Sequence, residues 1–72
     1  MNILCKETGK SLREQSTKAI RMIIDQTSVK EVKTNKTTIV ETIGAKLQKF
    51  TYYAISKDIV CSYVMDAIAA YK

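Results

Sequence analysis

The sequence predicts an α+β domain in the order α-β-β-β-α, a three-stranded antiparallel sheet with two helices packed on one face. Three observations point there. Both ends of the chain repeat apolar residues at helical spacing. The middle is crowded with β-branched and aromatic side chains, and Asn35-Lys36 and Gly44 read as turns between strands. An all-α small helical bundle is the alternative.

The first helix is expected over residues 11–27. Ser11-Leu12-Arg13-Glu14 is a capping-box pattern, in which Ser and Glu side chains satisfy the free amides of a helix start. Leu12, Ser16, Ala19, Ile20, Ile23, Ile24 and Thr27 then share one face. Arg13, Glu14, Lys18, Arg21 and Asp25 share the other. Glu14–Lys18 and Arg21–Asp25 are spaced as ion pairs contributing a few tenths of a kcal/mol each.

Strands are expected at roughly 29–34, 37–43 and 47–55. Thr37, Thr38, Ile39, Val40, Thr42, Ile43, Thr51, Tyr52, Tyr53 and Ile55 suit a pleated surface and lose rotamer freedom in a helix. A helix here would also hold Gly44 in its interior, at about 1 kcal/mol relative to alanine. A loop at Gly44-Ala45-Lys46 puts Ile39, Ile43, Leu47, Tyr53 and Ile55 on the helix-facing side, and Val40, Phe50 and Tyr52 on the other. In the helical alternative, Thr38-Ile39-Val40-Glu41 is a second capping box, and Ile39, Ile43, Leu47, Phe50 and Ala54 keep helical spacing.

The last helix follows Ser56, a capping residue, with Asp58 suited to the positive end of the helix dipole. Ile59, Val60, Tyr63, Val64, Ala67, Ile68 and Tyr71 form a broad apolar stripe, widened by Cys61 and Met65. This element order resembles that of the double-stranded-RNA-binding domain. Ser56-Lys57 is similar to that family's basic helix start, although Asp58 stands where a second lysine would follow.

Size and composition bound the function. At 72 residues the chain, 1–72, is one domain. Its twelve Lys and Arg outweigh seven Asp and Glu, for a formal charge of +5. The middle is the positive part: Lys30, Lys33, Lys36, Lys46, Lys49 and Lys57 face only Glu31 and Glu41 between residues 28 and 57. That balance suggests an anionic partner, either nucleic acid or an acidic protein surface, without proving one. Histidine is absent, so the commonest general base is missing, and Cys5 and Cys61 lack a His partner for activation. The same two cysteines cannot assemble a zinc site alone. The reading is therefore a non-enzyme with no metal and no cofactor. No leader resembles a signal peptide, and the longest apolar stretch, 59–71, is too short to span a bilayer. A cytoplasmic protein with reduced thiols and no membrane partner is expected.

Residues 5–11, CKETGKS, look like the end of a phosphate-binding loop. Such a loop is G-x-x-x-x-G-K-[ST], and its first glycine would fall at Leu4. Without it half the phosphate cradle is gone, so the stretch reads as a turn, Glu7-Thr8-Gly9-Lys10, before a helix cap. Free amides at Leu12 to Glu14, beside Lys10 and Arg13, remain as a phosphate contact.

The expected function is a small regulatory nucleic-acid-binding protein. Lys33, Lys36, Lys46, Lys49 and Lys57 would track phosphates with Lys10 and Arg13, while Phe50 and Tyr52 stack bases on the open sheet. Lys18 and Arg21 would add charge from the first helix. The competing reading is a non-enzymatic protein-interaction module, such as a phage or mobile-element inhibitor of a host complex, with 59–71 as a homodimer face.

Overall fold

The structure, a computed structural model, describes residues 3–71. The described residues form four helices: α1 (Leu12–Gln26), α2 (Val29–Thr34), α3 (Lys36–Gln48) and α4 (Lys57–Ala69). No strand ladder forms among them. The only β pairing there is two isolated antiparallel bridges, Leu4 with Ser11 and Cys5 with Thr51. The three-stranded sheet is thus overturned in favour of the helical alternative, and the likeness to the double-stranded-RNA-binding domain goes with it.

The first two expected strands, 29–34 and 37–43, are helical for identifiable reasons, while residues 49–55 of the third form the connection between α3 and α4. Val40, Ile43, Gly44 and Leu47 fall on one side of α3 and are buried, while Thr37 and Thr38 are exposed in its first turn. Two threonine hydroxyls of this stretch are absorbed by the helices themselves. Thr34 donates to the Lys30 carbonyl at 2.9 Å and Thr42 to the Thr38 carbonyl at 2.8 Å. Asn35-Lys36 is no hairpin turn. Asn35 is the single residue between α2 and α3, and its side-chain amide donates to the Glu31 carbonyl at 3.1 Å. The second capping box is also unused, because α3 begins three residues earlier than a Thr38 cap would start it, at Lys36, without a side-chain cap. Phe50 and Ala54, expected to continue the helical spacing, lie beyond the end of α3.

Gly44 is the largest reversal. It marks no turn; it sits inside α3 where α4 comes closest. A Cβ at this position would lie 2.7 Å from Cys61 Sγ. The helices approach because the side chain is missing, and close packing offsets the weak helix propensity of glycine.

Helix α4 is the hub. It packs against both α3 and α1, which touch each other far less. Val60, Val64, Ala67 and Ile68 are its buried face. They meet Leu12 and Ile20 of α1, Val32 of α2, and Val40, Ile43 and Leu47 of α3 in one core. Burying each large aliphatic side chain contributes about 1.5–3 kcal/mol before the entropy of ordering is subtracted. The apolar stripe at 59–71 is therefore mostly consumed inside its own chain, leaving Ile59 and Met65 exposed.

Both serine caps of the end helices form, while Glu14 accepts from the Ser11 hydroxyl rather than from a free amide. Ser11 Oγ accepts from Glu14 N at 3.2 Å, and Ser56 Oγ accepts from Ile59 N at 3.3 Å. Gly9, at φ 69°, makes the turn that folds residues 3–11 back on themselves. This N-terminal strap lies beside the α3–α4 connection: Lys6 N donates to the Phe50 carbonyl at 2.6 Å and Tyr52 N to the Leu4 carbonyl at 2.9 Å. Cys5 is carried into the core, fully buried.

Candidate functional site

Residues 5–11 build no phosphate cradle. Cys5 N donates to the Lys10 carbonyl and Gly9 N to the Cys5 carbonyl, each at 2.8 Å, so the loop closes on itself. The start of α1 is occupied as well. Leu12 N donates to the Ile3 carbonyl at 2.6 Å, and Glu14 N is held by Ser11. Two of the three amides expected to meet a phosphate are already satisfied.

Arg13 is likewise engaged within the chain. Its guanidinium lies 5.1 Å from the Tyr63 ring centroid and 4.0 Å from the Asp66 carboxylate. That is the one side-chain ion pair among the described residues; neither Glu14–Lys18 nor Arg21–Asp25 closes. Arg21 instead donates from Nε to the Tyr71 hydroxyl at 3.2 Å, a bond that raises its pKa above the ordinary value.

The structure distributes the remaining expected site residues over separate regions. Lys33 joins Lys30 on the exposed side of α2, in a shallow concavity with Val29 and Thr34. Lys36 follows at the first position of α3. This elbow between α2 and α3 holds three exposed lysines with Glu31 as the one acid among them. No side-chain cap bond is made to the first turn of α3, where Lys36 stands.

Lys46 and Phe50 belong to a different place, the groove between α1 and α3. Its volume is about 500 Å³. It arises because α1 and α3 lean on α4 and leave their own seam unfilled. Ala19, Met22 and Ile23 line one wall, and Ile43 and Leu47 the other, with Phe50 at one end. Lys18 and Lys46 stand on opposite rims, and Glu7 of the strap reaches the same groove. Met22, which the sequence reading assigned to neither face of the helix, is 56% exposed here. Gln15 lines the groove too, and its side-chain carbonyl oxygen is buried with no hydrogen-bond partner.

Lys10 lines a third, shallow surface on the outer side of α1 with Arg13, Lys18 and Arg21, interrupted by Glu14 and Asp25. Lys49 and Tyr52 lie in the exposed connection after α3, and Lys57 is the first residue of α4. Phe50 is half-buried and Tyr52 exposed, so they do not share a stacking platform.

Neither cysteine is paired. Cys5 is buried, which pushes its thiol pKa up, and Cys61 is half-buried with Sγ 3.8 Å from the Val40 carbonyl. Among the described residues no cluster of His, Cys, Asp and Glu is arranged to hold a metal, and no helix is long and apolar enough to cross a membrane. Comparison with models of protein families, with curated proteins and with solved structures finds no match to this chain.

Proposed function

We propose that the protein is a small nucleic-acid-binding protein, regulatory rather than enzymatic, that lays the elbow between α2 and α3 against the phosphate backbone. The observation that carries this reading is the cluster of Lys30, Lys33 and Lys36 at the uncapped start of α3. Exposed Thr37 and Thr38 add hydroxyl donors at the same end. Lysines, hydroxyls and helix N-termini are the groups that proteins aim at phosphate oxygens, and they position without reading sequence. The net charge of +5 supplies long-range attraction to the polyanion.

Binding of this kind weakens steeply with salt, because each phosphate neutralised releases counterions. Fluorescence anisotropy with labelled single- and double-stranded oligonucleotides, at about 50 and about 200 mM salt, is the direct measurement. Binding at the lower salt should fall at least about tenfold at the higher and lose about two units of salt slope in a Lys33→Glu/Lys36→Glu variant. Lys10→Glu is the control, set against the single elbow variant Lys33→Glu so that each changes the charge equally. It precedes α1, whose 15 residues span about 22 Å before α2 begins, so it should retain most of the binding. Absence of binding at the lower salt, or equal losses from Lys10→Glu and Lys33→Glu, would end this reading.

A further inference from the structure

We propose that the groove between α1 and α3 is a docking site for an amphipathic helix of a partner protein, one with carboxylates flanking an apolar stripe. The inference is independent of the elbow and its ligand. A helix has an apolar face to bury, and α1 and α3 pack on α4 far more than on each other, so a guest helix laid along their seam would cover its apolar lining. That seam is lined by core-type side chains, with Met22 out in solvent at 56% exposure and Phe50 half-buried. Methionine adapts its shape to an incoming surface, which suits it to a docking face. From Gln15 to Gln26 the α1 wall runs about 16 Å, room for about three turns of a guest.

Charge selects the occupant. Lys18 stands on the α1 rim and Lys46 on the α3 rim, both exposed. A guest helix lying between them meets a cation on each side, so it should carry Asp or Glu on both flanks of its apolar stripe. Glu7, reaching the groove beside Phe50, favours the positive N-terminal end of the guest at that side.

This chain does not present such a helix to a second copy. The exposed arc of α4 has Asp58, Ser62, Asp66 and Ala69 between Met65 and Ile59, so polar groups break up any apolar stripe there. The exposed residues of α3 are Lys36, Thr37, Thr38, Glu41, Thr42 and Lys46, with no apolar side chain among them, and α2 has only six residues. A nucleic-acid strand fits poorly as well, since the walls are aliphatic.

The test uses the full chain and a labelled synthetic helical peptide, with leucines at three- and four-residue spacing and glutamates on both flanks. A companion peptide carries lysines in place of those glutamates. The acidic peptide should bind, and Lys18→Glu/Lys46→Glu should weaken it at least about tenfold while improving the lysine peptide. Met22→Asp should also weaken the acidic peptide, with an unchanged far-UV circular dichroism spectrum showing that both variants fold. No binding of the acidic peptide at about millimolar concentration overturns the proposal. So does equal binding of the two peptides. A concentration-dependent dimer by sedimentation that Met22→Asp dissolves assigns the groove to a second copy instead. Oligonucleotide binding lost in Lys18→Glu/Lys46→Glu but kept in Lys33→Glu/Lys36→Glu assigns it to nucleic acid.

Discussion

At the scale of single residues, Gly44 sets the distance between α3 and α4. Its missing side chain leaves room for Cys61, whose Sγ would lie 2.7 Å from an added Cβ. Gly44→Ala therefore sets two effects against each other. Helix propensity favours alanine by about 1 kcal/mol, and overpacking against sulfur opposes it by about 1–3 kcal/mol. The expected result is a net loss of about 1 kcal/mol in chemical denaturation. In a Cys61→Ala background the sulfur is gone, and the same substitution should stabilise by up to about 1 kcal/mol. The cycle thus yields a coupling of about 2 kcal/mol between two positions far apart in sequence. That separation is why the role of Gly44 was illegible. A glycine amid threonines and isoleucines looks like a turn until the residue opposite it is known.

At the scale of elements, the ends of α1 and α4 were legible because their caps are local. Ser11 and Ser56 bond amides three residues ahead, and a reader of the chain sees both partners at once. The middle misled because β-branched composition is a weak prior that burial overrides. Val40, Ile43 and Leu47 recur at helical spacing and meet the hub helix, which outweighs the rotamer cost of the threonines around them. The link from α3 to α4 has its own anchor. Thr51 is 3% exposed, and its hydroxyl lies 3.1 Å from the Gln48 carbonyl and 2.8 Å from the Tyr53 carbonyl, one proton shared between them. Gln48 closes the same loop by donating from Nε2 to the Ile55 carbonyl at 2.7 Å. Thr51→Val keeps the shape and removes the donor, so it should cost about 1 kcal/mol by urea titration, with Thr51→Ser close to the parent.

At the scale of the whole molecule, the radius of gyration is 11.5 Å, near the ~11 Å expected of a packed chain this long. The strap is therefore part of the body, and Cys5 within it is fully buried. Burial raises the Cys5 thiol above its ordinary value of 9.0. Above about pH 9 the unfolded chain has lost this proton while the folded chain still holds it, so stability falls as pH rises. Below that pH the Cys5 contribution is fully present. Urea midpoints between about pH 8 and about pH 10 should decline more steeply in the parent than in Cys5→Ala, which is less stable throughout but flatter in its pH response. The same scale explains what could be read of the candidate surfaces. The lysines were plain in the sequence, but their grouping is a property of helix packing. Lys33 and Lys36 went to an elbow, and Lys46 and Phe50 to a groove. The bridge from Cys5 to Thr51 also bears on the order of assembly. The helices can nucleate from neighbours within a turn or two, whereas this clasp must close a loop from residue 5 to residue 51 before it is rewarded. Closure after the rate-limiting barrier is the expected order, so loosening the clasp should hasten unfolding and leave the refolding rate nearly untouched in stopped-flow kinetics.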